Sequence, residues 1–191
     1  MYGSQIALNF VFAVFPALSV SFTQNMFEIK RMMGYNRFIE ILEGCFMKIA
    51  FGCDHRGYIL KDAVIKHIRS LGHEVVDFGC DSAESVNYPV YGEKVGRAVS
   101  KGECDFGVLI CGTGFGISLA ASKVRGIRAV NCSDAYTARL TRQHNNANVI
   151  SLGSMVVGEG LALQLVETFL STAFEGGRHA KRLEMVENIE P

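Results

Sequence analysis

"GVLICGTGFGISLA", residues 107 to 120, passes from an apolar strand-like run into three glycines, with Cys111 at the junction and Thr113 between the first two. Strand, glycine turn and helix start in immediate succession form the hinge of a βαβ unit, in which a parallel strand is followed by a crossover helix. The same stretch admits three chemistries: a nucleotide-phosphate loop, a cysteine nucleophile on a turn, or a thiolate and backbone amides acting together on a small anion.

Outward from it, short runs rich in β-branched residues recur at 48–53, 74–79, 106–111, 127–132 and 149–154, with helical spacing between them. Such alternation predicts a parallel sheet covered on both faces. In the first helix Tyr58, Leu60, Ala63, Val64, Ile65 and Ile68 form an apolar face, Lys61, Asp62, Lys66 and Arg69 face outward, and Leu71-Gly72 ends it. Further helices are expected from Pro89 to about residue 100 and after Gly158 to about residue 170.

The chain has 191 residues, 49% of them hydrophobic, and a formal net charge of +0. That suits one domain with an appendage. Scattered charges without a basic face argue against nucleic acid as a partner. The six cysteines, at 45, 53, 80, 104, 111 and 132, make no C-x-x-C pair and no metal-ligand spacing. A reducing cytoplasm is expected, without disulfides.

Residues 1–46 differ in kind. "IALNFVFAVFPALSVSF", residues 6–22, is apolar over a marginal membrane span, but no Lys or Arg precedes it as in a signal peptide. Met47 opens "MKIAFGCD", a strand at the head of an α/β domain, and Leu42-Glu43-Gly44 is compatible with a purine-rich ribosome site. The expectation is a domain over 47–191 with its start at Met47, residues 1–46 being a non-native or disordered extension, and no membrane attachment.

Ligands of open parallel sheets gather beyond the carboxyl ends of the strands. There lie Cys53-Asp54-His55-Arg56-Gly57, Cys111-Gly112-Thr113-Gly114, Cys132-Ser133-Asp134 and Gly153-Ser154. Gly112, Gly114 and Gly116 give G-x-G-x-G on the third strand, not the G-x-G-x-x-G of a first strand, and Asp134 as a ribose acid is a weak signal. No Gly-Lys-Ser/Thr follows, which excludes a P-loop. Cys111 reads either as a packing cysteine or as a thiolate favoured by the amides of Gly112 to Gly116 and the helix N-terminus behind them.

"RLTRQHNNANVI" offers His144 and Asn145 as a helix end, or His144 as an acid-base group brought near the carboxyl edge. "EGGRHAKRLEMV" puts Arg178 and Arg182 four apart, either a solvated face or a phosphate clamp. Asp54 and His55 read as caps of the following helix or as ligand contacts.

Taken in order, "GCDHRGY" 52–58, "ICGTGFGIS" 110–118, "RQHNNANV" 142–149 and "EGGRHAKR" 175–182 resemble the motifs of B-type ribose-5-phosphate isomerases, relatives of the galactose-6-phosphate isomerase subunits. The resemblance spans 47–191. It implies a three-layer α/β/α sandwich with a five-stranded parallel Rossmann-like sheet. It further implies a homodimer whose pocket is shared between subunits, a tetramer being the alternative assembly, and interconversion of ribose 5-phosphate and ribulose 5-phosphate with no metal and no cofactor. By position, Cys111 is similar to the base that moves a proton between C1 and C2. Thr113 and the amides of Gly112, Gly114, Phe115 and Gly116 resemble the anion hole, and His144 the acid that opens the sugar ring. Asp54 and Asn145 are similar to the groups that orient hydroxyls, and His55, Arg178 and Arg182 to the phosphate ligands.

One departure stands out: many family members carry arginine soon after the last strand, where this chain reads Gly153-Ser154-Met155. Arg142 and Arg139 are the candidates to compensate, and a six-carbon substrate such as allose 6-phosphate or galactose 6-phosphate is the alternative. A cysteine hydrolase built on Cys111 and His144, or a non-catalytic sugar-phosphate sensor, are the rivals from other classes.

Overall fold

The computed structural model describes residues 46–189. The expectations for the amino-terminal extension and its start therefore fall almost wholly outside the described residues. Five strands, β1 (Lys48–Cys53), β2 (Glu74–Asp77), β3 (Phe106–Cys111), β4 (Ala129–Asn131) and β5 (Val149–Gly153), form one sheet in the order β2-β1-β3-β5-β4, all parallel. The connecting helices are α1 (Tyr58–Ser70), α2 (Tyr88–Ser100), α3 (Phe115–Ser122), α4 (Ala135–Asn145) and α5 (Glu159–Ser171), with α6 (Arg178–Glu187) at the end.

Alternation along the central strands divides the core in two. Ile49, Phe51, Val108, Ile110, Ile150 and Leu152 pack with residues of α1, α4 and α5, including Val64, Ala138 and Phe169. Ala50, Leu109 and Cys111 pack on the opposite face with Val95 and Ala98 of α2 and Ile117 and Ala121 of α3. Each fully buried Ile, Leu or Phe contributes about 1.5–3 kcal/mol, and a sheet apolar on both faces is stable only between two helical layers. The three-layer α/β/α sandwich is thus present.

Two strands are shorter than their apolar runs by two residues or more, and β5 by one. β2 stops at Asp77 because its carboxylate accepts the Gly79 N–H at 2.8 Å, turning the chain, and β4 is a three-residue edge strand. Two positions on α1 depart from the helical pattern. Tyr58 lies at the helix start, 37% exposed, while Lys61 is buried. The Lys61 ammonium donates to the Cys80 carbonyl at 2.8 Å and pairs with Asp77 at 2.8 Å. A long aliphatic stem lets a lysine cross the apolar stripe when its charge finds partners.

The five described cysteines are free and buried. Burial pushes the Cys53, Cys104 and Cys132 thiols up, away from reactivity. Among the described residues no helix is long and apolar enough to cross a membrane.

Candidate active site

The strand order reverses between β1 and β3, which opens a crevice at their carboxyl ends. Cys53 of β1 lies beside Ile110 of β3, and the Asp54 N–H donates to the Ile110 carbonyl at 3.2 Å. Asp54 and Cys111 therefore flank one crevice. Gly114, at φ 82°, makes the left-handed turn into α3, and its N–H donates to Cys111 Sγ at 3.1 Å. An L side chain there would strain the backbone and run into Asn131, whose amide in turn donates to the Thr113 carbonyl at 3.1 Å. Gly153 closes the other side, since a Cβ on it would sit 2.7 Å from Thr113.

Cys111 is 4% exposed and belongs to the core facing α2 and α3, as a packing cysteine would. The amide aimed at its sulfur is the feature that packing alone does not require. Behind it the first amides of α3, from Phe115 and Gly116 onward, have no carbonyl of their own helix to bond, so they and the helix dipole favour an anion in front of them. Phe115 itself is exposed.

Asp54 is buried, and its Oδ1 accepts the N–H groups of Arg56 at 2.9 Å and Gly57 at 3.0 Å. It does shape the turn into α1, as the capping reading expected. Gly57 is required there, because a Cβ would collide with the Ile110 carbonyl. His55 does not cap: its Nδ1 accepts the Val86 N–H at 3.2 Å, leaving Nε2 to carry the proton and donate. Asp134, the weak ribose-acid candidate, is the N-cap of α4, with Oδ1 accepting the Thr137 N–H at 2.8 Å.

His144 and Asn145 lie elsewhere. The sequence reading brought His144 toward the carboxyl edge, but α4 starts there, at the end of β4, and runs back antiparallel to the strands. Its last turn reaches the amino edge, where Asn146, at φ 45°, ends the helix before β5 begins. Two residues before His144, Arg142 lies 4.5 Å over the Phe106 ring, at the first residue of β3, whereas Cys111 is the last. Five steps of about 3.3 Å put roughly 16 Å between those ends. In a single chain the crossover geometry forces this separation.

Arg178 and Arg182 join His144 at the amino edge. Gly176 and Gly177, at φ 67° and 55°, turn the chain into α6, which opens with Arg178. The His179 ring stacks flat on His144, centroids 4.1 Å apart and planes within 4°, and Arg178 Nε donates to His179 Nε2 at 3.3 Å. Burial, then the neighbouring His144 and Arg178, holds the His179 imidazole below its usual range, favouring the neutral ring that accepts from Arg178. Glu175 Oε2 stands 3.7 Å from His179 Nε2 and 3.9 Å from His144 Nε2. His144, Glu175 and His179 are also the one group among the described residues with donor atoms close enough, within 4.8 Å, to hold a metal ion. The Arg178 N–H already directed at His179 Nε2 competes with a cation there.

Sequence reasoning thus named the polar residues of both edges but gave no role to Glu175, His179 and Asn131. Glu175 and His179 stood inside a quoted motif, where a helical i, i+4 spacing was the available signal; nothing local marks Asn131. Of the cations offered in place of an arginine at Met155, Arg142 is buried at the amino edge, with Nε donating to the Thr172 carbonyl at 3.2 Å and Nη1 to the Ala147 carbonyl at 2.6 Å and Asn146 Oδ1 at 2.9 Å. Arg139 lies over the Tyr136 ring, 5.8 Å from its centroid.

This fold and these residues have close counterparts. A family model described as ribose/galactose isomerase matches residues 49–186. Ribose-5-phosphate isomerase B of Escherichia coli K12 is 53% identical over 143 residues, 75% of this chain and 96% of that protein. The solved structure of Clostridium thermocellum ribose-5-phosphate isomerase B superposes with TM-score 0.74 at 53% identity, covering 75% of this chain and 97% of that one. A galactose-6-phosphate isomerase subunit of Clostridium acetobutylicum is 37% identical, over 74% of this chain and 85% of the subunit. With the family model matching from β1 to α6 and the same architecture in the solved relative, the chain belongs to the ribose/galactose isomerase family, whose named relatives are isomerases of sugar phosphates.

Proposed function

We propose that the protein interconverts ribose 5-phosphate and ribulose 5-phosphate in a pocket that two copies of the chain build together. The observation that carries the reaction is the Gly114 N–H on Cys111 Sγ, 3.1 Å away, at the mouth of α3. As thiolate, Cys111 takes the proton from C2 of the open aldose. The C2–H electron pair forms the C1=C2 bond, and the carbonyl pair moves onto O1. The other amides of the Gly112 to Gly116 turn, with the Thr113 hydroxyl, stabilise that oxygen, and each preorganised donor contributes about 3 kcal/mol. The thiol returns its proton to C1 while the hydroxyl proton passes from O2 to O1, so aldose becomes ketose with no change in composition.

A second copy is required because His144, Asn145, Arg178 and Arg182 sit at the opposite edge of their own sheet. The partner brings them to the crevice, His144 to protonate the ring oxygen as the furanose opens and the arginines to hold the phosphate. Phe115 and Leu119 of α3, Tyr88 and Val90 of α2, and Val156 are exposed apolar residues on the elements around the carboxyl-edge group, a surface suited to that copy. Six-carbon substrates form the second reading, motivated by Met155 in place of arginine.

The test is a panel of five- and six-carbon aldose phosphates, following ketose formation and exchange of the C2 hydrogen with solvent deuterium. Ribose 5-phosphate is expected to give both without an added cofactor. Turnover confined to a six-carbon phosphate would favour the second reading, and acid release from esters or amides without exchange would make the protein a cysteine hydrolase.

A further inference from the structure

Met155 stands where the resemblance implies an arginine, and the chain places a different arginine beside it. Arg56 follows His55 in the turn from β1 to α1, and its backbone is fixed from both sides. Its N–H is held by Asp54 Oδ1 at 2.9 Å, and its carbonyl accepts the Ser154 hydroxyl at 2.8 Å. The Arg56 Cβ and Cγ lie 3.7 Å from where a Cβ on Gly112 would stand, and Met155 Sδ lies 3.4 Å from the same point. The two side chains therefore flank one glycine of the cysteine loop. The Met155 N–H is tied to that loop through the Gly112 carbonyl at 3.0 Å. Arg56 is exposed, and its guanidinium takes no ion-pair partner among the described residues.

A fixed arginine stem beside His55, with an uncommitted planar fork, suits a phosphate dianion, which takes paired N–H donors. We infer that Arg56 is a substrate-binding residue of this chain, supplying from the β1–α1 turn the guanidinium that Met155 does not supply after β5, and gripping the phosphate together with His55. Phosphate recognition is then divided: Arg56 and His55 come from the copy that holds the thiol, Arg178 and Arg182 from the other. The reading rests on the sugar-phosphate isomerase function proposed above. It also accounts for Met155 without a change of substrate, because the cation is moved rather than lost.

A double-mutant cycle with Arg56→Met and Met155→Arg tests it, on variants whose melting temperatures match the parent. Two measurements are made: kcat and KM for ribose 5-phosphate, and calorimetric titration with inorganic phosphate, which needs no turnover. Arg56→Met is expected to raise KM about ten- to a hundredfold, the loss for one charge-assisted contact, with kcat changed far less, and to weaken inorganic phosphate in step. Adding Met155→Arg to Arg56→Met is expected to recover most of the loss. Unchanged KM and phosphate affinity in Arg56→Met, or a double variant no better than Arg56→Met, would overturn the assignment. A fall in kcat alone would overturn it too. If the parent protein isomerised no sugar phosphate, the proposed function would fail, while the phosphate titration would still decide the role of Arg56.

Discussion

The two edges of the sheet carry groups of different kinds. At the carboxyl edge the working parts are mostly main chain: a glycine turn, amides, and a cysteine whose sulfur accepts one of them. At the amino edge they are long or aromatic side chains at helix ends, with His144 stacked on His179 and Arg178 and Arg182 on α6. Backbone dipoles cannot turn away, which suits charge that appears only in the transition state. Side chains on helix ends reach across an interface, which suits binding. The comparison teaches that the thiol with its amides and the His144–Arg178 group are separated by the length of the strands, so in the function proposed above one chain holds two different halves and a pair of chains completes two pockets.

Replacing Cys111, the proposed base, is expected to give the largest effect. Cys111→Ala is expected to lower kcat and C2 exchange at least a hundredfold, the lower range for a positioned base, with substrate affinity within a few-fold; retained exchange would remove the thiol from the chemistry. Sharper for the two-edge picture is complementation. Cys111→Ala and His144→Ala, each much reduced alone, should recover about a quarter of parental activity when co-expressed. Random pairing makes half the dimers mixed, and each of those holds one intact pocket of two. No recovery would mean that the edges do not serve one pocket.

Next in size is Arg142→Met, which strips donors from the carbonyls of Ala147 and Thr172 at the amino edge. Thermal or urea unfolding should show a loss of about 2–4 kcal/mol, the scale for orphaning buried acceptors of a charged donor. KM should rise more than kcat falls, since the helix end bearing His144 and Asn145 loosens.

The smallest effect belongs to Lys61→Met near the carboxyl edge, and it is read through pH. Burial alone would lower the Lys61 ammonium, but the Asp77 carboxylate that accepts its hydrogen bond outweighs burial and holds it above the ordinary lysine value. A group raised on folding stabilises fully below its unfolded value of about 10.4 and loses that contribution as pH rises through the folded value. The Tm gap between parent and Lys61→Met should therefore be constant near neutrality and close above pH 10; a gap that widens there would contradict the pairing.

Most of the architecture could be read along the chain, because a parallel strand buried on both faces leaves a near-continuous apolar run, as in β1, β3 and β5. The ends of β2 and β4 could not, since Asp77 stops one by a side-chain hydrogen bond and the other is a short edge. Lys61 misled because helical periodicity counts a lysine as outside, whereas its partner Asp77 comes from another element. Cys111, Thr113 and the glycines were legible as one candidate group because the thiol and its amides are neighbours in sequence, within reach of any local reading.

His144 was legible as a residue and misplaced as a position. Spacing along a strand, a turn or a helix is local physics, and residues 107–120 carry all of it for the reacting groups. Where a helix end comes to lie depends on the direction in which a crossover returns across the sheet, and the pairing of His144 with His179, like the packing of Arg56 and Met155 around Gly112, depends on segments far apart in sequence. The sequence by itself determined which side chains and turns each edge has to offer. Only the tertiary structure decided that the edges stand about a strand's length apart, because each crossover between parallel strands must carry the chain back to the opposite end of the sheet.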